Sequence, residues 1–317
     1  MHLKISHILS ASLIILSVSA NIRAQEADKF YRESLTYISQ GAYQQALHSV
    51  GKAIAMDSTK DAYFLLRAQI QYELGNYDGT IKDCYTTLRL SPDKPEVYIL
   101  RGQVCMVTKS YGPAILFYGK AMKYATGDDL RFEAYVNRGK AFLAIQRLEE
   151  ALADFNLAFT IDNSALDALI PLADCYLRME KFDLAVETLN KALTQDAKSA
   201  PAHKLLGKVY FENGDYSNAI SATENYITLK PEEISSHNFL AELYLHEHDF
   251  ENAQKSLNNS LILDPLEPKA YKIRGLIFIE EGDTEKGCNT LFRAMQLGYF
   301  EKYGYDLLDI YHQKCEE

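Results

Sequence analysis

The chain has 317 residues, 47% of them hydrophobic and 24% charged, with 16 Gly, 8 Pro and 5 Cys. That composition excludes collagen-like and fully disordered chains, and a mean hydropathy of −0.21 excludes a polytopic membrane protein. A formal charge of −10 argues against a nucleic-acid partner.

Residues 1–24 have the layout of a secretory signal peptide. Lys4 precedes an apolar run from Ile8 to Val18, and Ala20 or Ala24 is placed to precede the cut. An uncleaved anchor is the alternative, but the run is short for a bilayer. Export predicts a periplasmic or secreted protein with no membrane insertion of the mature chain, and it permits disulfides. The cysteines are Cys84, Cys105, Cys175, Cys288 and Cys315, without CxxC or zinc-ligand spacing.

From Ala27 the chain repeats with a period of 34 residues. The windows are 27–60, 61–94, 95–131, 132–165, 166–199, 200–233, 234–267 and 268–301, the third lengthened near Gly127-Asp128-Asp129, which reads as a solvated loop. The eighth place holds Ser34, Ala68, Gly102, Gly139, Ala173, Gly207, Ala241 and Gly275. The twentieth holds Ala46, Thr80, Ala114, Ala151, Ala185, Ala219, Ala253 and Gly287. Small residues at both places let two helices approach closely. Large residues fill places four, eleven and seventeen, completing helical faces. Gly41, Gly75, Gly214 and Gly282 stand between the two helical patterns, and Pro92, Pro231 and Pro265 close their windows. Residues 302–317 follow the array, with a last helix expected over Tyr303–Gln313 whose polar residues (Lys302, Asp306, Asp309, His312, Gln313) suit a cap.

The small–aromatic–small pattern, recurring through eight windows, resembles the tetratricopeptide repeat family over residues 27–301. Thr284 for an aromatic, Tyr226 for a small residue at place twenty-seven, and the absence of Trp at place four depart from the family pattern. The resemblance implies an all-α, right-handed superhelical solenoid of helix-turn-helix repeats, each burying its apolar face on its neighbours. Cys288, in the second helix of window eight, and Cys315, ending the cap, would meet in an antiparallel hairpin and are disulfide candidates. Arg67, Arg101, Arg138 and Arg274 occupy place seven, usually apolar in the family; Asp83 and Asp154 at place twenty-three suggest ion pairs with Arg67 and Arg138. As exposed pairs these contribute at most about 1 kcal/mol.

In the resembled family, first-helix places two, five, nine, twelve and thirteen line the inner surface. Places five and twelve then give an apolar lane of Leu65, Tyr72, Ile99, Met106, Val136, Leu143, Ile170 and Leu177, rimmed by Gln69, Gln103 and Lys140. The expectation is a groove for an extended or helical segment of a partner protein. The alternative is that these residues pack between repeats. On the groove reading, Leu65, Ile99 and Val136 can all become Ser with folding largely intact. Lys204, Lys208 and Lys272 form an inner basic patch, although Glu242 and Leu276 mismatch the family's carboxylate clamp.

Nothing points to an enzyme: G-x-S-x-G, H-E-x-x-H, P-loop and G-x-G-x-x-G motifs are absent. His246-Glu247-His248-Asp249 falls at an inter-helix turn, so no metal or cofactor is expected. The reading is a non-enzymatic, exported interaction scaffold; the alternative is a structural subunit of an envelope assembly or secretion machine, held by its convex face.

Overall fold

A computed structural model describes residues 22–315. The expected leader over 1–24 lies outside them except for its last three residues, which belong to α1, helical through 22–39. Helix α2 (Tyr43–Met56) completes the first hairpin. Then come α3 (Asp61–Glu73) with α4 (Tyr77–Leu90), α5 (Pro95–Val107) with α6 (Tyr111–Tyr124), and α7 (Asp128–Ala144) with α8 (Leu148–Ile161). The second half continues with α9 (Leu166–Arg178) and α10 (Phe182–Gln195), α11 (Ala200–Glu212) and α12 (Tyr216–Leu229), α13 (Ile234–His246) and α14 (Phe250–Leu263), and α15 (Pro268–Glu280) and α16 (Thr284–Gln296). Two compact units divide between Asp162 and Asn163, four repeats in each. No strand occurs among the described residues.

Each second helix begins at place seventeen, and the first helices of six repeats begin at their window starts. The exception inside the array is α7, which starts at Asp128, four residues ahead of its window. Asp128 and Asp129 are therefore its first turn and not a loop. Carboxylates are favoured there because the unpaired amides at a helix N-terminus carry partial positive charge.

The small places work as steric gates. A Cβ built on Gly139 would come within 2.6 Å of the Phe155 ring, and one on Gly102 within 2.4 Å of Tyr118. Where the place is small but polar, it bonds across the hairpin: the Ser34 hydroxyl donates to the Ala46 carbonyl at 2.9 Å. Place four does more than fill space. The hydroxyls of Tyr98 and Tyr271 donate to the carbonyls of Pro92 and Pro265 at 3.1 and 3.0 Å. His203 and His237 hydrogen-bond the carbonyls of Ala197 and Pro231 at 3.1 and 2.8 Å. The polar tip that replaces Trp thus ties each of these four repeats to the turn before it.

The turn residue at place fifteen is left-handed in every repeat. Glycine supplies it four times, at φ between 71° and 92°. Lys109, Gln146, Glu180 and His248 supply it at φ 56°, 62°, 57° and 55°, each paying the Cβ penalty that glycine avoids. All four are exposed. Changing any of them to Gly is expected to stabilise the protein by roughly 0.5–1 kcal/mol, the steric relief exceeding the added chain entropy. Urea denaturation of the single variants measures this, and a loss of stability would show that these turns are unstrained.

The C-terminal cap differs from the single expected helix. Gly304 at φ 97° breaks it into α17 (Tyr299–Tyr303) and α18 (Asp306–Cys315). Leu307 and Tyr299 are buried against Leu291 and Ala294 of α16. Two polar residues expected on its outer face are instead docking contacts. Asp306 accepts from Lys272 at 2.5 Å, and Lys302 pairs with Glu267, which is 1% exposed and also accepts from the Tyr303 hydroxyl at 2.5 Å. Cys288 and Cys315 are joined as a disulfide with Cα atoms 5.6 Å apart.

Candidate functional site

Unit 1 carries a cleft of about 370 Å³ on its first-helix side. Its floor is Ile38, Ile70, Tyr72, Ile99, Leu100 and Leu130; its polar wall is Gln69, Gln103, Glu73, Glu96 and Glu133. Of the residues expected to form the groove, Gln69, Tyr72, Ile99 and Gln103 line this cleft. Most of the apolar lane, Ile99 included, is largely covered by packing. Leu65, Ile99, Val136, Leu143 and Leu177 are all at or below 9% exposure. Leu65 sits with Ala68, Cys84, Val97 and Leu100, and Ile99 with Tyr98, Ala114 and Tyr118. The next first helix covers place five: Leu65 packs with Val97 and Leu100 of α5. Met106 is half-buried against the Ile99 cluster, and Lys140 is half-buried. Ile170 and Leu177 belong to unit 2.

Three glutamates of the cleft also sit at inner places, where the apolar pattern does not single them out. Glu96 and Glu133 occupy place two, and Glu73 occupies place thirteen. Glu133 accepts from Gln103 Nε2 at 3.2 Å, and burial pushes its carboxyl above the usual range. Glu96 Oε2 is buried without a hydrogen-bond partner, as is the hydroxyl of the wholly buried Tyr118, whose pKa burial raises above the usual range. No Lys or Arg is among the described residues lining the cleft, and Lys94 near its edge is taken by Asp61 at 2.7 Å. The cleft is thus apolar below and anionic at its wall.

The same sequence pattern is matched by tetratricopeptide repeat models over residues 31–95, 142–209 and 200–233. This chain belongs to the tetratricopeptide repeat family. A Dictyostelium discoideum relative, the small glutamine-rich tetratricopeptide repeat-containing protein, is 29% identical over 97 residues, which are 31% of this chain and 29% of that protein. The solved structure of Pseudomonas aeruginosa pilF superposes with a TM-score of 0.61 at 16% identity, covering 69% of this chain and 99% of that one. A tetratricopeptide repeat protein from Parabacteroides merdae gives 0.51 at 16% identity, covering 90% and 99%. At those identities the superpositions speak for the fold alone. Tetratricopeptide repeats in general are non-enzymatic scaffolds that bind other proteins. Among the described residues no helix is long and apolar enough to cross a membrane, and no group of three His, Cys, Asp or Glu could hold a metal ion.

In unit 2 of this tetratricopeptide repeat protein two of the three lysines of the expected basic patch are paired with acids. Lys204 donates to Glu233 at 2.5 Å, and Lys272 donates to Asp306 and to the Tyr299 hydroxyl at 2.5 and 3.1 Å. Lys208 is exposed. Tyr226, the bulky residue at place twenty-seven, gives its hydroxyl to Glu233, which also accepts from Ser235 at 2.7 Å. Burial alone would raise the Glu233 carboxyl, but the bonds from Lys204, Tyr226 and Ser235 hold it down to about 2, against an ordinary 4.5. A depressed carboxyl stabilises the fold above its unfolded value and loses that contribution as pH falls from 4.5 through about 2. Thermal melts across that range should show Glu233→Gln flattening part of the acid decline. An unchanged decline would mean that Glu233 is not its source.

His246-Glu247-His248-Asp249 is turn chemistry. His248 is the left-handed residue, Asp249 accepts from the Asn252 amide at 3.1 Å, and His246 stacks on Tyr216 at 4.6 Å. Cys84 and Cys175 are buried; burial pushes the Cys84 thiol up to about 12, so it is inert at neutral pH.

Proposed function

We propose that this protein is an exported, non-enzymatic scaffold that holds an extended or helical segment of a partner protein in the unit 1 cleft, and that the segment presents Lys or Arg to Glu96 and Glu133. The anionic wall over an apolar floor carries this reading. A cation there meets carboxylates already partly stripped of water, while the aliphatic stem covers Ile99 and Tyr72. The net charge of −10 adds long-range attraction for a basic segment. Export rests on the leader over 1–24, and a Cys288–Cys315 bridge suits an oxidising compartment.

A photo-crosslinking residue at Gln69, in full-length protein expressed in its native host, tests it. The expected result is one recurring protein adduct whose crosslinked peptide contains Lys or Arg, lost in Glu96→Lys/Glu133→Lys with helicity unchanged. The second reading is a machine subunit held by its second helices, favoured by the exposure of Leu116 and Ile262, at 69% and 78%. Adducts at Leu116 and none at Gln69 would select it.

A further inference from the structure

The four place-seven arginines form an internal comparison. Arg67 holds Asp83 through Nε and Nη2 at 2.6 and 2.7 Å, and Arg138 holds Asp154 in the same way at 2.7 Å for both. Arg101 has Phe117 at place twenty-three instead. Its guanidinium lies 4.1 Å from that ring and 4.6 Å from the Tyr85 ring, and donates to the Tyr85 hydroxyl at 3.1 Å. Arg274 keeps the arginine, but its place twenty-three is Thr290, whose hydroxyl is turned to the Lys286 carbonyl at 2.7 Å. Nη2 reaches Asn258 Oδ1 at 2.8 Å, while Nε is buried without an acceptor. Burial also pulls the guanidinium below its usual range, the reverse of Arg67 and Arg138, whose aspartates hold them up.

We infer that Arg274 is the receptor for a single carboxylate brought by a peptide, which takes the position that Asp83 and Asp154 occupy in repeats two and four. A groove lies beside the guanidinium. Arg274 and Thr290 line an open groove of about 420 Å³ in unit 2, with Arg293 and Lys286 on its wall. Lys286 rests over the Phe278 ring at 3.7 Å, which leaves Arg293 as the second cation available to the ligand. Asp283 and Glu285 share the wall, so a polyanion or phosphate is disfavoured and one carboxylate in an otherwise neutral peptide is preferred. The site is separate from the unit 1 cleft and from the inner places of the family clamp. A carboxylate that displaces Asn258 Oδ1 from Nη2 would gain the charge-assisted, two-bond geometry that the same chain already builds twice.

The Nε–Hε signal of Arg274 in the full-length, isotopically labelled protein reads the site directly, its assignment made by its absence from Arg274→Lys. Acetyl-Gly-Glu-Gly-amide carries one side-chain carboxylate, and acetyl-Gly-Gly-Gly carries only the terminal one. A saturable shift with either supports the site, and the stronger of the two identifies the source. Thr290→Asp supplies the missing acid internally. It should move the signal the same way without peptide, raise the melting temperature, and weaken peptide binding by at least about ten-fold. The inference is overturned if neither peptide shifts the signal in folded protein, if Thr290→Asp responds to peptide as the parent does, or if inorganic phosphate shifts it and the peptides do not.

Discussion

Replacing Leu65, Ile99 and Val136 together by Ser is expected to unfold unit 1. These side chains are 9%, 3% and 3% exposed, and Leu65 and Ile99 belong to packed clusters in successive repeats. Truncating a buried Leu or Ile costs about 2–5 kcal/mol, and each new hydroxyl enters an apolar site at roughly 1–3 kcal/mol more. Even at the low end of these ranges the three changes together cost about 9 kcal/mol, which is the scale of the whole stability of an ordinary domain. In a stacked array each repeat relies on its neighbours, so the loss spreads beyond the altered positions. Circular dichroism and urea titration measure it. A cooperative melt within a few degrees of the parent would restore the apolar lane as free surface. Gln69 and Gln103 variants in the cleft serve as the control, since they remove no packing.

Arg138→Ala should destabilise unit 1 by about 3–4 kcal/mol, several times the cost of breaking an exposed pair. Asp154 is 2% exposed, and removing its guanidinium leaves a carboxylate in a dry site with its two strongest donors gone. Arg67→Ala should cost less, because Asp83 keeps a third donor, Gln71 Nε2 at 2.9 Å. That bond also accounts for the polar residue at place eleven of repeat two. A double-mutant cycle with Asp154→Ala separates the pair's own contribution from the penalty of the orphaned acid. A single-variant cost under about 1 kcal/mol would return the pair to the exposed class.

The ion pairs show where sequence reading was sound and where it stopped. Arg67–Asp83 and Arg138–Asp154 were legible because sixteen residues at repeat spacing bring place seven opposite place twenty-three. Their weight was not legible, since it depends on how tightly the second helix closes over the aspartate. The cleft divides similarly. Gln69, Tyr72, Ile99 and Gln103 were placed on the right side of the first helices. Glu73, Glu96 and Glu133 were readable from places thirteen and two, yet stood out only once the cleft gathered them. Lys204 and Lys272 looked like a patch because Glu233 and Asp306 lie 29 and 34 residues downstream, beyond any local pattern.

The sequence by itself determined the all-helical repeat, its period, the four glycine turns and the close contacts at small places. All of these follow from local backbone sterics and from a spacing that recurs, so each repeat tests the others. Only the tertiary structure decided which inner residues are covered, which lysines are neutralised, and that Arg274 Nε is left without an acceptor. Those outcomes depend on the distance between neighbouring hairpins and on the one residue that happens to face each charge, and a position along a helix gives a direction without giving what stands at the other end of it.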